Sequence, residues 1–193
     1  MQAYDPLNYD NLARSVVQAL LGGPQEPLPP SEAFNGAGVY AIYYNGAFEP
    51  YSELVNADLP PPIYVGKAVP TGARKGGHGS SQGRELYQRL RQHAASIQQA
   101  VSLDLDHFTC RRLVVVPVWI SLAERFLLEY YQPLWNVAID GFGNHDPGAG
   151  RRGMKRPRWD ILHPGRQWAA RLKPQESVEQ VLESLKRFLK QPR

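Results

Sequence analysis

Cysteine is almost absent: the chain has one, Cys110, among 193 residues. That excludes an internal disulfide and a cysteine-built metal cluster, and it makes a reducing cytoplasm the expected setting. No apolar run approaches the roughly 18 residues of a membrane-spanning helix, so no membrane span is expected. A secretory leader is not expected either, because the opening MQAYDPLNYD is polar and acidic. Internal repeats are also lacking. What the chain does have is length enough for one domain with a buried core, and charge that is unevenly spread. Residues 1–149 hold 10 Lys/Arg against 14 Asp/Glu, whereas residues 150–193 hold 12 against 4. The concentration of basic charge in the last quarter points to a polyanionic partner more than the net charge of +4 does. The bland alternative is a solvated basic tail.

Two short stretches organise the rest. GVYAIYY, Gly38–Tyr44, is rich in β-branched and aromatic residues and ends at the turn pair Asn45-Gly46, so it reads as a strand. IYVGK, Ile63–Lys67, reads as a second strand, entered from Pro60-Pro61-Pro62, where a ladder strand cannot continue. The 23 residues between Tyr40 and Tyr64 exceed a tight hairpin, and the excess from Phe48 to Pro62 is expected to be an inserted loop.

Upstream, residues 8–21 predict an amphipathic helix with Leu12, Val16, Ala19 and Leu20 on one face, ended by Gly22-Gly23-Pro24 and followed by a Pro-rich connector. It is expected to pack on the core or on a second subunit. Downstream, residues 71–83 read as a flexible basic loop. Residues 84–101 predict the clearest helix: Leu86, Leu90, Ile97 and Val101 share an arc, with His93 in it or at its edge, Arg89 beside it, and Arg84 and Arg91 opposite. A strand is expected over Phe108–Val118. Ser121-Leu122-Ala123-Glu124 matches a capping box opening a helix that must stop before Pro133. Residues 139–164 read as irregular, and a short helix is expected over Arg166–Leu172. A final amphipathic helix runs over Ser177–Lys190.

Taken together, these residues resemble the GIY-YIG nuclease superfamily. GVY and YVG are conservative variants of its two signatures, and the helix with Arg89 and His93, the helix with Glu124, and Pro133-Leu134-Trp135-Asn136 follow in order. The phrases PIYVGKAVPTG, LYQRLRQH, PLWN, DGFGNHDPGAGR and WDILHPGRQWA resemble one subgroup more closely, the Type II restriction endonucleases that cut the palindrome CCGCGG. The long spacing between the signatures departs from the superfamily and is similar to that subgroup. The likeness runs roughly over residues 36–170.

The resemblance implies an α/β (α+β) fold, a small central mixed or antiparallel sheet flanked by helices. It implies a nuclease core over 36–140, with an N-terminal helical extension (1–35) and a basic DNA-binding appendage (141–193), within one compact domain. It also implies a Mg²⁺-dependent endonuclease acting on double-stranded DNA as a homodimer, in the cytoplasm, beside a cognate methyltransferase that forms no stable complex with it. Two alternatives stay open: a GIY-YIG nuclease of the repair or mobile-element kind, and a catalytically silent DNA-binding protein.

Phosphodiester hydrolysis needs an activated water, neutralised charge on the phosphoryl group and a stabilised leaving oxygen. By resemblance Glu124 is the metal ligand, for one Mg²⁺ per site with Mn²⁺ able to replace it; by pattern alone it is the capping-box glutamate. Tyr40 is the candidate for activating water. Its free pKa of about 10 requires nearby positive charge, from Lys67, Arg89, His93 or the metal. Tyr64 would hold geometry through its hydroxyl; both tyrosines could instead be core residues. Arg89 is matched to the scissile phosphate or else to an interior aspartate. His93 would hydrogen-bond Tyr40 or shuttle a proton, or be a satisfied core histidine. Asn136 orients the active-site backbone or the phosphate, or caps the turn after Pro133. Lys67 either depresses the Tyr40 pKa or meets a phosphate.

For DNA reading, Arg151, Arg152, Lys155, Arg156 and Arg158 lie within eight residues free of acids. Arginine pairs with guanine edges in the major groove, as a GC-rich site needs. Asn144, His145, His163 and Arg166 are expected to assist, with Arg74 and Lys75 in the glycine-rich loop.

Overall fold

Alternation along GVYAIYY decides the architecture. In the computed structural model, which describes residues 7–57, 59–70, 83–146 and 153–191, this run is strand β2 (Gly38–Tyr44) at the heart of the sheet. It pairs antiparallel with β3 (Tyr64–Ala68) on one side and with β4 (Phe108–Val114) on the other. A two-residue β1 (Glu26–Pro27) adds to β4, giving the order β1-β4-β2-β3. Side chains alternate between faces. Tyr40, Ile42 and Tyr44 enter one core with Leu86, Leu90 and Ile97, while Val39 and Ala41 enter another with Val17, Leu20, Ala123 and Leu127. Both faces of the sheet are therefore covered, which is why β2 reads as an unbroken apolar run instead of an alternating one.

The first face carries α3 (Glu85–Gln99), the short α5 (Leu134–Val137), α6 (Arg158–Leu162) and α8 (Val178–Leu189); the second carries α1 (Tyr9–Gly22) and α4 (Ile120–Tyr131). Fully burying each leucine or isoleucine of α3 contributes about 1.5–3 kcal/mol, so the helix is fixed against the sheet by its apolar arc. The N-terminal helix packs on the core: Val17 and Leu20 are buried. Ser177 caps α8 through a reciprocal capping box with Gln180.

Five sequence expectations need correction. The strand expected to reach Val118 stops at Val114, because Pro117 lacks an N–H and opens a 3-10 turn (Pro117–Trp119). The helix expected to carry Val101 inward ends at Gln99; Ala100 turns extended and Val101 is 84% exposed. The inserted loop contains a 3-10 turn (Glu49–Tyr51) and α2 (Ser52–Val55), and Tyr51 is fully buried. The segment expected to be irregular contains α6, and the short helix beyond it, α7, is confined to Gln167–Ala170.

Candidate active site

Tyr40 on β2 and Gly66 on β3 are cross-strand partners. A methyl group on Gly66 would overlap the Tyr40 hydroxyl, so glycine is what lets the ring lie across the neighbouring strand. Tyr64, two residues earlier on the same face, lies with its ring centre 6.2 Å from that of Tyr40. Helix α3 presents Arg89 and His93 one turn apart. The Tyr40 hydroxyl and His93 Nε2 share a buried hydrogen bond of 2.6 Å. His93 also meets the Tyr64 ring at 5.2 Å and stacks on Phe142 at 4.6 Å. Sequence reasoning had not singled out Phe142; its one signal is an aromatic set between two glycines, Gly141 and Gly143.

Burial governs the protonation of this cluster. It drives the Tyr40 pKa well above 10, helped by Tyr64 and opposed by Arg89. Tyr64 is raised for the same first reason, again with Arg89 opposing. Burial holds the His93 pKa well below 6.5, and the positive charges of Arg89 and neighbouring groups reinforce it. The resting pair is therefore a phenol and a neutral imidazole. Arg89 does pull the Tyr40 pKa down, as expected of a nearby cation, but desolvation outweighs it. Lys67 is occupied elsewhere.

Its Nζ lies 2.8 Å from Glu124 Oε2 and donates to Ser121 Oγ at 3.2 Å. The capping box does not form. The 3-10 turn runs straight into α4, so Ser121 is already helical and no side chain caps the helix. Glu124 is thus released from backbone work. Its charge raises the pKa of both Tyr40 and Tyr64, which puts it within electrostatic reach of the cluster. Among the described residues, no group of three or more metal-ligating side chains converges. One half-buried carboxylate that already holds an ammonium ion is a donor set suited to Mg²⁺, which commonly takes one or two carboxylates and fills its shell with water and phosphate oxygens.

Arg89 is half-buried and fixed by the segment after α5: Nη2 donates to the Gly143 carbonyl at 3.0 Å, and Nη1 donates to Gln92 Oε1 at 3.2 Å and contacts His145 Nε2. Asn136 works on backbone. Its Oδ1 accepts from Val65 N and its Nδ2 donates to Val65 O, both at 2.9 Å, so its amide acts as one more strand partner on the edge of β3. It does not cap the turn after Pro133.

The basic residues divide. Arg74, Lys75, Arg151 and Arg152 lie outside the described residues. Lys155, Asn144 and His145 are exposed. Arg156 donates to the carbonyls of Ala169 and Ala170. Arg158 forks onto Glu176 at 2.6 and 2.7 Å. Arg166 is buried on Asp160 and on main-chain carbonyls. His163 is buried between Tyr51 and Ser102. Arg166 and His163 are buried, so the expectation that they face DNA is corrected, whereas Arg156 and Arg158 are half-buried and bonded to the Ala169 and Ala170 carbonyls and to Glu176. Counting acids within residues 151–158 gives no sign of this, because the acceptors, Glu176 for Arg158 and the Ala169 and Ala170 carbonyls for Arg156, lie farther along the chain.

No helix among the described residues is long and apolar enough to cross a membrane. No curated protein matches the chain. The family model described as the Eco29kI GIY-YIG domain, a restriction-endonuclease family of nucleases that act on DNA, matches residues 32–189, and the protein belongs to that family.

Proposed function

We propose that the protein is a Mg²⁺-dependent Type II restriction endonuclease that hydrolyses phosphodiester bonds in double-stranded DNA within a GC-rich palindrome, CCGCGG by resemblance. The observation that carries this reading is the buried Tyr40–His93 hydrogen bond of 2.6 Å beside Arg89. A neutral imidazole on a phenol gives the phenol somewhere to send its proton. As Tyr40 takes a proton from the attacking water, its own passes to His93 Nε2.

Arg89 neutralises the phosphate oxygens with a planar guanidinium that never loses its charge. Lys67 moves from Glu124 to a neighbouring phosphate. Tyr64 holds the geometry through its hydroxyl, and Asn136 keeps the YVG backbone in register. Glu124 would hold the Mg²⁺, or Mn²⁺ in its place, which supplies Lewis-acid charge stabilisation at the phosphate and the leaving oxygen.

A palindrome presents two scissile bonds related by a two-fold axis, so two copies of the chain act together on one site. A cell carrying such an enzyme needs a methyltransferase of the same specificity, acting separately in the cytoplasm. The test is a plasmid carrying one CCGCGG site, incubated with Mg²⁺ and separately with chelator. Linear product mapping to that site, in Mg²⁺ alone, is the expected outcome. Cutting elsewhere would keep the nuclease and discard the palindrome. Tight binding without cutting would make the protein a silent DNA binder.

A further inference from the structure

Residues 141–145 lie against the catalytic cluster without belonging to a helix or strand. Phe142 stacks on His93 with an interplanar angle of 22° and meets Tyr64 edge-on at 5.0 Å. The Gly143 carbonyl accepts from Arg89, and a methyl group on Gly143 would run into the Tyr64 hydroxyl. Three side chains of the cluster thus take their positions from a segment with no ladder of its own. Its buried carbonyls need donors from elsewhere.

One side chain provides them. Arg166 Nη1 donates to Phe142 O and to Asn144 O, and Nη2 donates to Gly141 O, each at 3.0 Å. Its Nε and Nη2 also fork onto the two oxygens of Asp160 at 2.7 and 2.5 Å. The guanidinium carbon lies 4.6 Å from the Trp159 ring centre and 4.8 Å from that of Trp168. Arg166 is 2% exposed and Asp160 3%. A buried ion pair is a weak source of stability, because desolvation offsets most of the attraction. What a guanidinium offers here is geometry: five N–H groups in one rigid plane, enough to hold three carbonyls and a carboxylate at once. A lysine offers a single point charge.

We infer that Arg166, braced by Asp160, is a positioning residue for the catalytic cluster, fixing residues 141–145 so that Phe142 shields His93 and Gly143 aims Arg89. The inference rests on the nuclease reading of the cluster. His93 is faced by Tyr40 from β2, Tyr64 from β3, Arg89 from its own helix, and Phe142 and His145 from the segment, with Arg166 behind. Loosening the segment admits water to the imidazole and releases Arg89 from its carbonyl.

The test compares Arg166→Lys, Asp160→Asn and Phe142→Leu with Arg111→Met. Arg111 is also multiply bonded, to the Leu21 and Gly23 carbonyls and Gln25, but lies away from the cluster. Single-turnover cleavage and duplex affinity are measured, and the His93 imidazole is followed by NMR against pH. The first three variants are expected to lose about 100-fold in rate, the cost of misplacing reacting groups by about an ångström, while affinity holds. Their His93 titrates in the range where the parent's stays neutral. Arg111→Met loses stability alone.

Parental cleavage by Arg166→Lys or Phe142→Leu, or a rate that falls only in step with unfolding as in Arg111→Met, would overturn the role. Should Arg166→Lys not fold, Phe142→Leu leaves the Arg166–Asp160 pair in place and carries the test. If the parent protein cuts no DNA, the nuclease reading fails, yet the NMR arm still decides. A titrating His93 in Arg166→Lys or Phe142→Leu supports the positioning role, and an unchanged one refutes it.

Discussion

The Lys67 ammonium sits 2.8 Å from the Glu124 carboxylate, joining the residue after the YVG signature to the first turns of α4. The pair crosses from the edge strand to the helix on the second face of the sheet, while the tyrosines, Arg89 and His93 lie on the first. The one carboxylate proposed for the metal is therefore held by a cation of the protein itself.

Glu124→Gln keeps the shape and removes the charge. Cleavage should fall by roughly a thousandfold, or about 4 kcal/mol of lost charge stabilisation, with site-specific DNA binding retained in a mobility-shift titration. A variant that cuts at the parental rate would remove Glu124 from the chemistry.

Gly66→Ala forces a methyl group into the Tyr40 hydroxyl. Overpacking of this kind costs about 1–3 kcal/mol, which urea denaturation will read. The protein should stay folded while cleavage collapses, since Tyr40 can no longer keep its 2.6 Å bond to His93. Stability loss with normal cleavage would show that the bond is dispensable.

Stability should decline in mild acid. Burial holds His163 at about 3 and His93 well below 6.5. Both stay neutral in the folded chain while the unfolded chain takes up protons below about 6.5, so their folded form is favoured in full above that pH and loses ground beneath it. The loss reaches up to about 1.4 kcal/mol per histidine for each further pH unit. Denaturation curves at pH 7, 6 and 5 should fall in that order; a flat series would mean that one or both rings become charged in the folded state.

Lys155→Ala should weaken DNA binding evenly across sequences and reduce the log–log salt slope by about 1. Arg158→Met should leave the slope unchanged and cost less than about 1 kcal/mol of stability, because its guanidinium is held by Glu176 near the surface. A reduced slope for Arg158→Met would show that this pair opens on DNA.

Much of the framework was legible in the chain because it depends on local rules. β-branched and aromatic runs, period-3.6 patterning, and turn and proline stops mark β2, β3, α3 and α8 to within a residue or two. The helical period also puts Arg89 and His93 on one face, and the resemblance puts Tyr40 and Tyr64 in the two signature strands. The capping-box reading of Glu124 failed because a local pattern gives no sign that the preceding turn already supplies the helix start. The fate of the arginines was hidden for a related reason. A guanidinium bonds to whichever acceptors the fold brings near, and residues 151–158 look alike in sequence whether their partner is a phosphate, Glu176 or a ring of carbonyls.

The sequence by itself determined which segments become strands and helices, and which residue types are available for phosphodiester chemistry, since backbone propensity and side-chain periodicity act over a few residues. Only the tertiary structure decided that Lys67 rests on Glu124, that Asn136 closes the edge of β3, that Tyr40 and His93 are buried as a neutral pair, and that Arg166 turns inward to hold Phe142. Those outcomes depend on desolvation and on hydrogen-bond partners brought together by packing, and neither is encoded in any short stretch of the chain.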